Sequence, residues 1–254
     1  MSKWFFFSTV LLAICVPGYA AETNDLFTLY RSVMENRSLA QSEREMKVQR
    51  LLASLNRPDF LGFVRDAAKK EPRYTDERSE YSLTMHFFAS IYANGPGKAE
   101  SLQETLAQLP DSTLPSTWKI ALLDALKLNR RSDMTEPEVI AVISALSEAG
   151  QSKQNSDIFR SMCFSHLGNF LTSERERITQ KAPDLKDAIE KHDKSALPKR
   201  DDANVRLAAK LIDAMCEYKT ALQKTADEVK DDQVKAHLKK LLSKWGPVPD
   251  TPIK

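Results

Sequence analysis

The sequence predicts an all-α protein. Glycine is scarce, at 7 of 254 residues, and no run of β-branched residues alternates with polar ones as a strand would. Apolar residues instead recur at helical spacing, in segments separated by proline, glycine or capping residues. These observations predict stacked antiparallel helix pairs, either an α-solenoid of the HEAT type or an irregular helical bundle, with a C-terminal helical hairpin.

Residues 1–20 have the pattern of a secretory signal peptide. Lys3 supplies a positive charge, Trp4–Val16 is a run of apolar and small residues, and the next four residues suit signal-peptidase cleavage. The run is short for a permanent membrane-spanning helix. We expect cleavage between Ala20 and Ala21, and therefore an exported protein, periplasmic or extracellular, without a stable membrane anchor after cleavage.

Four helix–turn–helix units are predicted over residues 21–172, as a helical-pair array. They begin near Asn24, Arg57, Lys98 and Thr135. The spacing between these starts is roughly 40 residues, which is typical of helical repeats.

The first two units supply four helices. Asn24 is predicted to cap the first, and Ser42 and Glu45 form a capping-box pattern for the second. A third helix follows Pro58. A longer helix at about 76–93 is apolar around much of its circumference, so we expect it to be the most buried element.

The next two units follow the same punctuation. Helices are predicted at about 98–109 and 116–128. Thr135 opens a helix with a capping-box pattern, and Gly150 is predicted to end it. Ser156 then caps a helix that reaches about residue 170.

Residues 173–245 are predicted to pack on this array. A charge-rich helix at 173–191 comes first, and helices at about 202–229 and 231–245 form the hairpin. The tail, 246–254, contains three prolines and is predicted to be extended and flexible.

The charge pattern excludes one class of partner. The chain carries 37 Lys and Arg against 35 Asp and Glu, interleaved along its length. A nucleic-acid-binding protein is expected to concentrate basic residues on one face, and the pair Arg130-Arg131 is too small to do so. No nucleic-acid partner is predicted.

The cysteines support two hypotheses. Cys163 and Cys216 remain after signal cleavage, and an even number of cysteines in an exported protein predicts a disulfide between them. Two buried free thiols are the alternative. Cys163 and His166 lie on one helical face, so with Cys216 they are weak candidates for a zinc site. Nothing in the sequence brings these ligands together, so no metal or cofactor is predicted.

No catalytic motif is complete in the chain. HExxH, GxSxG, a glycine-rich phosphate loop and the EF-hand pattern do not occur. The catalytic residues, if there are any, are therefore unknown. An enzyme would need a site built from dispersed residues, for which Glu80, His86, Cys163 and His166 are the candidates.

The sequence therefore predicts an exported, non-catalytic helical scaffold or binding protein. Its partner would be another exported or envelope protein, and an inhibitor or immunity-type protein is one use within this class. The first alternative is an enzyme with a dispersed active site between helices. The second is a small-ligand or lipid carrier, which requires a closed apolar cavity.

Overall fold

The computed structural model describes residues 26–79, 82–94, 102–128 and 134–245. These residues form eleven α-helices and no strand, so the all-α prediction is confirmed. Short 3-10 turns lie at Pro72–Thr75, Pro183–Leu185 and Lys194–Ala196. The helices are α1 (Leu26–Glu35), α2 (Gln41–Ala53), α3 (Arg57–Lys70), α4 (Ser82–Asn94), α5 (Leu102–Leu106), α6 (Ser116–Leu126), α7 (Glu136–Gln151), α8 (Asp157–Lys181), α9 (Lys186–Glu190), α10 (Ala203–Glu228) and α11 (Asp232–Lys244).

Several predicted features lie outside the described residues. These are the signal sequence with Ala20 and Ala21, the cap Asn24, the candidate Glu80 and the tail. Among the helices that are described, none is long and apolar enough to cross a membrane.

Two predicted helix starts are wrong. The capping box at Ser42 does not form, because α2 already begins at Gln41 after Ala40. A turn upstream, in which Asn36 Oδ1 accepts hydrogen bonds from Ser38 N (3.0 Å) and Oγ (2.6 Å), brings the chain into the helix early. The helix predicted from residue 76 begins at Ser82, since Asp76 Oδ1 accepts from Arg78 N (3.0 Å) in a local turn.

Two predicted helix ends are also wrong. Gly150 does not end α7, which continues to Gln151. A Cβ at Gly150 would lie 3.0 Å from the Phe164 ring, so the glycine permits close packing instead. The break expected between residues 170 and 173 does not occur, because no helix-breaking residue precedes Pro183 and α8 runs unbroken to Lys181. The domain boundary at residue 172 stays a prediction.

Two predicted caps are confirmed. The Thr135 amide donates to Glu138 Oε2 at 2.8 Å, as in a capping box, and Ser156 Oγ accepts from Phe159 N at 3.1 Å. The predicted C-terminal hairpin is also present, as α10 and α11 pack against each other.

Buried apolar side chains form two clusters, and α6 contributes to both. The N-terminal core contains side chains from α1 to α4, and the C-terminal core contains side chains from α5 and from α7 to α11. Trp118 and Leu122 of α6 belong to the N-terminal core, while Leu123 and Leu126 belong to the C-terminal core. Helix α6 therefore joins the two halves of the fold.

Glycine allows α8 and α10 to approach closely at one point of the C-terminal core. Tyr218 Oη of α10 donates to the Phe164 carbonyl oxygen of α8 at 3.1 Å. A Cβ on Gly168 would lie 2.6 Å from that hydroxyl oxygen, which is too close without movement. By contrast, Gly62 on α3 is exposed, and no atom lies within 4 Å of the position its Cβ would take.

Replacing these two glycines by alanine should therefore have opposite effects. We expect Gly168→Ala to lower the free energy of unfolding by about 1–3 kcal/mol, because the Tyr218 hydroxyl must move. Gly62→Ala should raise it by about 0.5–1 kcal/mol, since alanine favours an exposed helix interior. Urea unfolding of both variants measures this. Equal destabilisation by both would contradict the described packing.

Candidate functional site

The predicted disulfide between Cys163 and Cys216 is not formed, and both thiols are free. Cys163 is fully buried in the C-terminal core. Helices α8 and α10 meet where Tyr218 reaches Phe164, and Cys216 is two positions before Tyr218. At about 100° per residue, its side chain is rotated by roughly 200° about the helix axis and so lies on nearly the opposite face of α10.

The weak zinc candidates do not come together either. His166 bonds to Asp124, while Cys163 lies in the core and Cys216 is partly exposed. Within the described ranges, no group of three His, Cys, Asp or Glu side chains is arranged to hold a metal ion.

The structure does bring two of the candidate histidines onto one carboxylate. Asp124 of α6 lies 3.1 Å from His86 Nε2 through Oδ2 and 3.1 Å from His166 Nε2 through Oδ1. His86 belongs to α4 and His166 to α8. This cluster, His86–Asp124–His166, therefore links three helices from both halves of the fold.

The hydrogen bonds of His86 favour its protonated form. Its Nδ1 lies 3.1 Å from the Ser82 carbonyl oxygen, which can only accept a hydrogen bond, so Nδ1 donates. Nε2 faces the Asp124 carboxylate, which can only accept a hydrogen bond, so Nε2 donates as well. The Asp124 hydrogen bond accordingly raises the pKa of His86, against the effect of burial. Hydrogen bonds from His166 and His86 lower the pKa of Asp124.

A second polar pair lies beside this cluster but has the wrong direction for nucleophilic catalysis. Ser165 Oγ is 2.9 Å from His237 Nε2 of α11 and 3.1 Å from the Ser161 carbonyl oxygen. The Ser161 carbonyl oxygen can only accept, so Ser165 Oγ donates to it. With its one hydrogen used in this way, Ser165 Oγ is an acceptor for the His237 tautomer that carries its proton on Nε2. A general base would have to accept from the serine.

A cavity of about 190 Å³ lies at the start of α6, between the α5–α6 and α7–α8 connections. Most of its lining is polar, and Lys119 is the cationic residue in it. The lining residues are Pro110, Ser112, Leu114, Ser116, Lys119, Glu148, Ala149, Ser152, Gln154 and Asn155. We call this the Lys119 cavity.

Lys119 is buried, at 3% exposure. Its Nζ lies 3.4 Å from Asn155 Oδ1 and 5.5 Å from the centre of the Phe159 ring. In the part of the chain that the structure describes, no carboxylate oxygen lies within 4.0 Å of this ammonium group. Burial lowers the pKa of Lys119, because the charged form loses water.

Buried Arg160, at 4% exposure, shows what a compensated cation looks like in the same fold. Its guanidinium donates to the Gly150 carbonyl oxygen (3.1 Å) and to Glu228 Oε2 (3.2 Å). Such pairing offsets much of the free energy lost on burial of a charge. Among the described residues Lys119 has no comparable partner, since its one hydrogen-bond acceptor there is the neutral Asn155 side chain.

The carboxylates nearest the cavity are engaged or exposed. Asp111 is bonded to Arg65 Nη2 at 2.9 Å. The carboxyl group of Glu77 hydrogen-bonds to Ser156 and to the Ser116 side chain at the start of α6, and burial raises the pKa of Glu77. Glu148 lines the cavity but is exposed to solvent.

Neither Lys119 nor Asp124 is among the residues predicted from the sequence. A signal for Lys119 exists, because this lysine is embedded in an apolar helical segment, Trp118–Leu123. Asp124 had no comparable signal, since its two histidine partners are 38 and 42 positions away.

The His86–Asp124–His166 cluster should make stability depend on pH. Since the pKa of His86 is raised in the folded state, its stabilising effect is complete below about pH 6.5 and is lost as the pH rises through the folded pKa. The lowered pKa of Asp124 makes its effect present above about pH 4. Stabilisation is therefore greatest between these values.

The free energy of unfolding of Asp124→Asn and of the parent protein, measured in urea from pH 5 to 8, tests this pH dependence. Over this range the free energy of unfolding of the parent should fall by roughly 0.5–1 kcal/mol more than that of the variant. The effect is small because the His86 and Asp124 side chains are 38% and 44% exposed. Asp187→Asn, which removes an exposed partner of Lys191, is the control and should follow the parent. Parallel curves for parent and Asp124→Asn would contradict the cluster.

The chain matches no protein-family model, no curated protein and no solved structure. Its function therefore has to be inferred from its own side chains.

Proposed function

We propose that this protein is an exported, non-catalytic binding protein that acts through contact with another exported or envelope protein. The export part rests on the signal pattern in residues 1–20. The binding part rests on the Lys119 cavity, where a partner group can enter. An inhibitor or immunity-type role, and a helical repeat, belong to the same proposal.

One observation carries the proposal. Lys119 is buried without a carboxylate partner and lines a cavity. A buried, unpaired charge lowers stability, and such a cost is typical of sites that are completed by a ligand. The hydroxyl and amide groups of Ser112, Gln154 and Asn155 around the cavity add further hydrogen-bonding groups for a partner.

A specific observation also favours the enzyme alternative. His86, Asp124 and His166 form a carboxylate–histidine cluster that is partly exposed, and such a pairing can serve acid–base catalysis. An activity screen with nitrophenyl esters tests this. Turnover by the parent that Asp124→Asn loses, while it still folds, would favour an enzyme; no turnover would leave the cluster a structural link.

The carrier alternative has less support. A lipid or apolar ligand needs a closed apolar cavity, whereas the Lys119 cavity is lined by serine, asparagine, glutamine, glutamate and lysine side chains.

Photo-crosslinking from the cavity rim tests the binding proposal. A photoreactive amino acid replaces Gln154, which is exposed and lines the cavity, in the full chain expressed in its source cells. We expect one dominant crosslinked protein, because a partner seated on this face lies within reach of the side chain.

The matched control places the same photoreactive group at Lys239, an exposed position on α11. It should not capture the protein that position 154 captures. Identical products from both positions, or no specific product from position 154, would overturn the proposal.

A further inference from the structure

We propose that the Lys119 cavity is a binding site for a single carboxylate group, held between the Lys119 ammonium group and the N-terminus of α6. The inference deepens the proposed function, and rests on it only for the source of the carboxylate. That source is an aspartate or glutamate side chain of the partner, and a free small carboxylate is the other source with the same chemistry.

The Lys119 ammonium group has more hydrogen-bond donors than acceptors around it. An ammonium group has three hydrogens to donate, and Asn155 Oδ1, at 3.4 Å, is a long and weak acceptor for one of them. Asn155 also lines the cavity, so the Nζ atom is located at the cavity wall. An entering anion would accept the remaining hydrogens without any movement of the helix.

The N-terminus of α6 lies at the same cavity. Helix α6 begins at Ser116 after Pro115, whose side chain makes no capping hydrogen bond, and its first turn contains no acidic residue. The first-turn N–H groups of a helix carry a partial positive charge and bind anions. Ser116 and Lys119 are three residues apart, so they share a face, and both line the cavity.

At the start of three other helices a side chain of the protein itself accepts a hydrogen bond from a first-turn N–H group, whereas α2, like α6, begins without a side-chain cap. Asn56 caps α3, Ser156 caps α8, and Asp231 caps α11. At α6 an N-cap residue without a side-chain hydrogen bond coincides with a buried lysine whose hydrogen bond to Asn155 is long and which has no carboxylate partner among the described residues. The Glu77 carboxyl hydrogen-bonds to the Ser116 side chain at the same helix start, so an entering carboxylate would be held mainly by Lys119.

The volume of the Lys119 cavity limits the size of the group that can enter it. A volume of about 190 Å³ is far above the roughly 10–15 Å³ that one water molecule needs. It is below the roughly 300–1,000 Å³ of pockets for drug-sized ligands. The cavity therefore suits one functional group with a few carbon atoms, such as an acidic side chain.

The carboxylates near the cavity limit the charge of the group that can enter it. Glu148 lines the same cavity, and Asp111 is close enough to influence Lys119. These carboxylates would repel a phosphate dianion more strongly than a singly charged carboxylate. The surroundings therefore favour a monoanion.

The test is isothermal titration calorimetry on the full mature chain. The probes are sodium acetate, a blocked tripeptide with a central glutamate, its glutamine counterpart, and inorganic phosphate. We expect saturable binding of acetate and of the glutamate peptide, and none of the glutamine peptide. Lys119→Met should weaken binding about ten-fold or more, since it removes a charge-assisted hydrogen bond.

Lys219→Met is the matched control, because Lys219 on α10 is also buried, at 4% exposure, and does not line the cavity. It should bind as the parent does. Lys119→Met keeps the side-chain length and removes an unpaired buried charge, so it should fold with an unfolding midpoint at or above that of the parent. Unfolding curves of both variants accompany the titrations.

The outcomes separate this inference from the proposed function. Tighter binding of the glutamate peptide than of acetate supports a carboxylate from a partner protein; acetate binding without peptide binding supports a free carboxylate. Binding of phosphate alone, binding lost in Lys219→Met only, or no saturable binding overturns the carboxylate site, while a specific crosslink from position 154 would still support partner binding. Acetate binding without any crosslink would support the carboxylate site and contradict the proposal of a protein partner.

Discussion

The packing of α6 between two cores is the constraint on which the rest of the structure depends. Trp118 and Leu122 fill the N-terminal core, while Leu123 and Leu126 fill the C-terminal core. A helix with apolar contacts on two sides has few directions left for polar side chains. Lys119 and Asp124 occupy those directions, so both candidate sites lie on the helix that holds the halves together.

The two polar positions on α6 differ in how their charge is compensated. Asp124 is partly exposed, and two histidines donate to it. Lys119 is buried beside one amide oxygen and an aromatic ring. Because Lys119 is buried, a negatively charged group that reached it would interact with it more strongly than at the surface.

Local features of the fold could be predicted from the sequence, and distant ones could not. The caps at Thr135 and Ser156 depend on residues three positions away, so their patterns were sufficient. The early start of α2 and the late start of α4 depend on turns at Asn36 and Asp76 that compete with the helix.

The candidate sites illustrate the same limit at longer range. The pairing of His86 with His166 through Asp124 needs the relative placement of three helices. The Lys119 cavity needs two connections that are distant in sequence to meet. The cysteine pair was predicted from composition, and the rotation of α10 places Cys216 away from α8.

The shared helix also has a consequence for cooperativity. If either core came apart alone, the α6 side chains that pack in it would be left in water, so the two halves are thermodynamically coupled. Among the described residues, each half contains one tryptophan: Trp118 is buried in the first, and Trp245 packs on Tyr218 in the second, with ring centres 4.9 Å apart. Their fluorescence should therefore change in one common transition, as expected of a single folding unit in which two cores share one wall.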